Sequence, residues 1–163
     1  MRALTMLAVV AASALAAPSA NKAELRLTPG DIAALQQRAG GAGTSGVAGI
    51  RTVILAGDPT KSGPYTIELT VPARTRIAAH THRDDRSAVV VSGTWHFGYG
   101  AAATPGATKA LGSGSFYTEP AGDAHFAITR DQPVTVIISG YGPTDTRYFE
   151  GERPNEELRR PKR

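Results

Sequence analysis

The chain has 163 residues, 41% of them hydrophobic and 20% charged. That length and balance suit one globular domain and exclude disorder, collagen or coiled coil as whole-chain readings. The formal net charge is +4, but part of it sits in Arg2 and part in residues 147–163, where six Lys and Arg face four Glu. The remainder lacks the basic stripe that a nucleic-acid footprint needs. Cysteine is absent, which removes disulfides, thiolate nucleophiles and thiolate zinc sites. Any metal must therefore be held by carboxylates and by the four histidines, His80, His82, His96 and His125.

Residues 4–15 are apolar apart from Thr5 and Ser13, with Arg2 ahead of them and Ala14-Leu15-Ala16 behind. The run is too short to span a bilayer and reads as a signal peptide over 1–16, cleaved after Ala16. The expected product is periplasmic or secreted. Without cysteine it must hold together through its core alone. Residues 17–44 then read as a short helix and a Gly-rich linker. Thr28 caps the helix, Pro29 takes its first position and Asp31 its first turn. The helix is expected to run to Arg38 and give way to a flexible connector at residues 40–43.

From residue 45 the pattern is β. Tyr65-Thr66-Ile67-Glu68-Leu69-Thr70-Val71 alternates apolar and polar, the period of a half-buried strand. Further strands are expected at 50–55, 74–80, 88–92, 94–99, 116–118, 125–129 and 134–139, separated by Gly and Pro. Eight short strands with turns between them, and no long helical period, predict an all-β sandwich or barrel over 45–146. Residues 147–163 read as a charged tail, frayed from Tyr148 onward.

His80-Thr81-His82 ends one strand run. Residues two apart on a strand face the same way, so both imidazoles project to one side. If the turn Pro120-Ala121-Gly122 lays the next strand alongside, His125 joins them. Three neutral nitrogens suit Fe, Mn, Zn, Ni or Cu and leave open positions for water or substrate. Sharing one ion would bring the three nitrogens to within about 3–4.5 Å of one another.

The spacing of these residues resembles the two motifs of the cupin superfamily. Residues 74–93 resemble the first, G-x5-H-x-H-x3,4-E-x6-G, through His80, His82 and Gly93. Residues 114–129 resemble the second, G-x5-P-x-G-x2-H-x3-N, through Gly114, Pro120, Gly122 and His125. The resemblance covers roughly residues 45–145. It implies a jelly-roll β-barrel of the double-stranded β-helix type with His80, His82 and His125 as metal ligands inside. Three positions depart from it. Arg74 replaces the leading Gly and Thr129 the closing Asn. Arg86 stands where the family places a carboxylate ligand, and a guanidinium cannot bind a cation. Three readings follow. The centre uses three His, as the acetylacetone-cleaving and cysteine dioxygenases do; or Asp84, Asp85 or Glu119 supplies the carboxylate; or the barrel binds no metal.

Arg86 reads either as a rim residue paired with Asp84 or Asp85, or as a guanidinium fork for an anionic substrate. Its strand parity with Ala88 and Val90 points into the cavity. Glu119 is the second candidate substrate-binding residue. It is read first as exposed, and otherwise as a partner of Arg86 or a ligand. His96 points away from Trp95 and Phe97 and reads as structural, while Trp95, Phe97, Phe116 and Tyr117 read as barrel packing. The function expected is that of an exported single-domain cupin holding one divalent transition metal, iron first among them. It would act as a small-molecule dioxygenase or metal-assisted lyase on an enolisable or carboxylated substrate. The alternative is a module that binds a small ligand or metal without turnover. Its partner is then a small molecule, with no nucleic acid, no membrane after signal removal, and room for a homodimer.

Overall fold

The structure, a computed structural model, describes residues 24–38 and 40–149. The expected signal peptide and the tail beyond 149 lie outside the described residues. Among the described residues no helix is long and apolar enough to cross a membrane.

Helix α1 spans Pro29–Ala34 and is held by a capping box: Asp31 N–H donates to Thr28 Oγ1, and Thr28 N–H to Asp31 Oδ2. It stops short of the expected end at Arg38. Leu35 turns extended, and Arg51 Nη2 takes up the last carbonyls by donating to Ile32 O and Ala33 O. Arg38 N–H then donates to Thr52 O at 2.8 Å, so a backbone bond to the barrel replaces further helix.

Ten strands follow: β1 Arg51–Ala56, β2 Gly63–Val71, β3 Arg76–Thr81, β4 Arg86–Ser92, β5 Trp95–Tyr99, β6 Lys109–Leu111, β7 Phe116–Glu119, β8 His125–Ile128, β9 Val134–Gly142 and β10 Arg147–Tyr148. They form two antiparallel five-stranded sheets, β1-β2-β9-β4-β7 and β10-β3-β8-β5-β6, which face one another as an all-β jelly roll. All eight expected strands are present. β6 and β10 are additional, and both are too short to show alternation. β10 takes the first two residues of the segment read as tail and pairs Tyr148 with His80 and Arg147 with Thr81. The tyrosine is what secures them there: its hydroxyl donates to Ser45 O, and its ring lies 5.2 Å from that of His80.

Alternation sends one side chain in two to the core. Tyr65, Ile67, Leu69 and Val71 from β2 meet Val134, Val136 and Ile138 from β9 and Ala88 and Val90 from β4. Each apolar side chain so buried contributes about 1.5–3 kcal/mol. Two cross-strand rungs at one end of the barrel matter most for chemistry. In the first sheet Tyr65 pairs with Gly140, Gly140 with Arg86, and Arg86 with Glu119. In the second, Tyr148 pairs with His80, His80 with His125, and His125 with Tyr99.

Parity alone would not deliver this arrangement. Ile77 and His80 both line the cavity although they are three residues apart. The β3–β8 register shifts between them: Ile77 is opposite Ala127, and His80 is opposite His125. One extra residue in β3 is a β-bulge, which re-aims the strand so that His80 and then His82 turn inward.

Candidate metal centre

His80, His82 and His125 are all buried, and their ligand atoms lie within 4.8 Å of one another, slightly wider than expected. Each ring is oriented by a backbone carbonyl on its Nδ1. Ala78 O lies 2.7 Å from that of His80, Asp145 O 2.6 Å from that of His82, and Asp123 O 3.1 Å from that of His125. A carbonyl only accepts, so the proton of each neutral ring sits on Nδ1 and the Nε2 atoms present lone pairs. Burial, aided by neighbouring His125, holds the pKa of His80 down to about 3, and burial holds that of His125 down to about 4. Carbonyl-oriented imidazoles of this kind could hold a metal ion.

The turns around the site are tied to each other. Gly122 N–H donates to His82 O, and Ala121 N–H donates to Asp85 Oδ1, which clamps the β3–β4 turn onto the turn ahead of His125. Asp84 is buried and accepts from Tyr65 Oη at 2.7 Å and from Thr144 Oγ1. Asp84 and Asp85 are thus engaged in holding the turn, and among the described residues the ion pair of Arg86 is with Glu119.

Arg86 and Glu119 depart from their first expectation. Neither lies on the rim or in solvent: they are 6% and 5% exposed, and Arg86 Nε stands 2.9 Å from Glu119 Oε2. The cause is their cross-strand register on β4 and β7, with Arg86 sharing the inward parity of Ala88 and Val90 and Glu119 that of Tyr117. The Arg86 N–H is not aligned along that contact, and both atoms stay without a hydrogen bond. Glu119 Oε2 also lies 3.6 Å from His82 Nε2 and 3.7 Å from His125 Nε2. The metal set and the two candidate substrate-binding residues therefore share one cavity of about 30 Å³, where about 10–15 Å³ is enough for one water.

Six buried side-chain atoms are without hydrogen-bond partners among the described residues: His82 Nε2, His125 Nε2, Glu119 Oε2, Arg86 Nε, Trp95 Nε1 and Tyr117 Oη. All belong to residues that line this cavity. Arg86 Nε and Glu119 Oε2 offset one another as an ion pair and Tyr117 Oη has Trp95 beside it, so the atoms with no counterpart are the two imidazole Nε2 atoms, and leaving a buried polar group unpaired costs about 1–3 kcal/mol. The donor set fits a divalent transition metal: three imidazoles form a group that could hold one, and Glu119 Oε2 lies near two of them.

Other expectations divide. Trp95, Phe97 and Tyr117 are buried as expected, and they also wall the cavity. Phe116 is 63% exposed, because the parity that turns Tyr117 and Glu119 inward turns it out. His96 does not line the cavity and is half-buried; burial lowers its pKa. Sequence reasoning did not find the part played by Gly43 and Thr44, read as linker, or by Ser45, the first residue of the expected barrel. Gly43, Thr44 and Ser45 line the cavity, and Thr146 Oγ1 and Tyr148 Oη donate to the carbonyls of Thr44 and Ser45. The buried Val47 just beyond was the available signal.

Comparison with known proteins agrees with this fold. Residues 33–161 match the family model described as a domain of unknown function, DUF4437. No curated protein sequence matches the chain. Among solved structures, the polyketide cyclase RemF from Streptomyces resistomycificus has a TM-score of 0.62 at 15% identity, covering 81% of this chain and 89% of that one. The DMSP lyase DddQ from Ruegeria pomeroyi has 0.60 at 17% identity, covering 82% and 75%. An RmlC-like cupin from Shewanella frigidimarina has 0.54 at 15%, covering 75% and 94%. The match to a further DMSP lyase structure, at 20% identity and TM-score 0.53, covers 62% of this chain and 53% of that one, so the chain spans about half that structure's length. The jelly roll, the family model over most of the chain and these likenesses converge: the chain belongs to the DUF4437 family, a cupin-like domain family.

Proposed function

We propose that the protein is a metal-dependent cupin enzyme that takes a small carboxylated or enolisable substrate, in the lyase or dioxygenase class. The observation that carries this is the pair of buried imidazole atoms without partners, His82 Nε2 and His125 Nε2, facing the cavity beside the Arg86–Glu119 ion pair. His80, His82 and His125 would hold the ion, which supplies Lewis-acid polarisation of a bound oxygen. The chain's own contribution is orientation and charge. Arg86 is buried and cationic beside the site, matched so far only by Glu119. A divalent ion added to that neutral pair leaves the centre positive in a dry environment, and an anionic substrate is the natural complement. The aromatic wall of Trp95, Phe97 and Tyr117 excludes water around it. Burial pushes the Tyr117 hydroxyl pKa well above its usual value, so it stays protonated as a donor. Fold neighbours described as lyases and a cyclase accord with this chemistry.

A second reading rests on the size of the cavity. About 30 Å³ admits an ion with a water or a very small anion, as a metal-binding module without turnover would need. Metal analysis of the purified protein, followed by turnover assays on small carboxylic acids with and without oxygen, separates the two. Oxygen-independent turnover identifies a lyase and oxygen-dependent turnover a dioxygenase. Tight metal uptake with no turnover favours the module, and a purified protein that takes up no ion ends both readings. We also infer export, on the apolar run and small-x-small site of residues 1–16. A secreted product that begins at Met1 would end that inference.

A further inference from the structure

We propose that Glu119 is the fourth protein ligand of this centre, supplied one strand over from the position where the cupin motif carries its carboxylate, and that Arg86 in that position is its fixed counter-cation. This rests on the reading of His80, His82 and His125 as a metal centre and assigns what completes it.

Arg86 on β4 and Glu119 on β7 are direct cross-strand partners, and both turn inward. Facing residues on neighbouring strands have Cβ atoms about 4.5–5.5 Å apart, so a carboxylate moved from one to the other still addresses the same cavity. Glu119 Oε2 lies 3.6 and 3.7 Å from two Nε2 atoms. Donors bound about 2.1 Å from one ion at octahedral or tetrahedral angles are separated by roughly 3.0–3.5 Å. The carboxylate already stands close to that spacing.

The hydrogen inventory gives the second argument. With Nδ1 of each histidine committed to a carbonyl, the Nε2 atoms offer only lone pairs toward Glu119. Carboxylate and imidazole lone pairs that face one another across 3.6 Å, all buried and none hydrogen-bonded, need a positive centre or a hydrogen donor between them, and one cation serves all of them at once. Arg86 Nε stands 2.9 Å from Glu119 Oε2, which offsets the guanidinium charge and holds the carboxylate in place beside the histidines. Asp84 and Asp85 are committed to Tyr65, Thr144 and the Ala121 amide, which leaves Glu119 as the carboxylate at the cavity.

The test is titration of Zn2+ and Co2+ into metal-free full-length protein, with the visible Co2+ spectrum as a report on the ligand set. Parent, Glu119→Gln, His125→Ala and the swap Arg86→Glu/Glu119→Arg are compared, with circular dichroism and melting to confirm folding. Glu119→Gln is expected to weaken both ions by tenfold or more and to shift the Co2+ bands, and the swap to return affinity to within about threefold of the parent. A folded Glu119→Gln protein with the parent's affinity and spectrum overturns the assignment. So does a folded swap that binds no better than Glu119→Gln. If Glu119→Gln fails to fold, Glu119→Asp keeps the charge beside Arg86 and withdraws the oxygen; a parent-like spectrum there overturns the assignment as well. A parent that binds neither ion, or binds as His125→Ala does, removes the metal centre itself. That failure is distinguishable, because it precedes any effect at Glu119.

Discussion

Tyr65 joins the core to the site. Its ring packs in the barrel, while its hydroxyl donates to Asp84 in the turn that carries Arg86. Burial pushes its pKa up to about 12, and burial likewise raises those of Tyr117 and Tyr148. An unfolded tyrosine releases its proton near pH 10. Above that pH the unfolded chain has lost protons that the folded one still binds, so stability is full below pH 10 and falls as pH rises toward 12. Denaturant midpoints at pH 9, 10 and 11 should decline from the second to the third, and a flat series would show that these hydroxyls titrate freely. Arg74 is the other residue with a measurable burden. It has φ +57 where the cupin motif writes glycine, with an exposed contact to Asp131 at 3.3 Å as its local return. An L residue in that region is strained by about 1–2 kcal/mol, and an exposed ion pair returns about 0–1 kcal/mol. Arg74→Gly is expected to stabilise by about 0.5–1 kcal/mol in equilibrium unfolding; a clear loss would mean that the ion pair outweighs the strain.

At the scale of the element, alternation made the strands legible. β2 and β9 could be read residue by residue, because one face of each is core. What alternation cannot show is register. Arg86 and Glu119 each look like surface residues when taken singly, and only the pairing of β4 with β7 makes them a buried couple. The bulge in β3 was equally invisible, since nothing in Ile77-Ala78-Ala79-His80 announces an extra residue. β6 and β10 have too few residues to carry a period. Gly140 shows how closely one element can serve another. A Cβ there would lie 2.6 Å from Tyr65 Oη and 2.7 Å from Asp84 Oδ2, so β9 leaves out a side chain to let that hydrogen bond cross beneath Arg86. Gly140→Ala should cost about 1–3 kcal/mol by overpacking and should weaken metal binding by disturbing the Arg86 turn. Unaltered unfolding and metal titration together would show that the strand shifts without effect.

For the molecule as a whole, the fold class and the three histidines were readable because two spaced motifs carry them, and the closure of the barrel was not. A bound ion should act on the entire cooperative unit. At a free concentration about a hundredfold above its Kd it adds about 2.7 kcal/mol, equivalent to roughly 10 °C in the melting midpoint of a domain this size. Melting with added Zn2+ and with a chelator should bracket that difference, and coincident curves would argue against a site in the folded state. The closure has a consequence for biosynthesis. Ser45 and Tyr148, joined across the mouth, stand 103 positions apart in the chain, and the Asp145 carbonyl that orients His82 is also near the end. A nascent chain has all three histidines, with the Ala78 and Asp123 carbonyls that orient two of them, before it has the Asp145 carbonyl that orients the third. An ion held at these histidines would therefore meet its complete site only once β10 is in place, in the compartment where folding is completed.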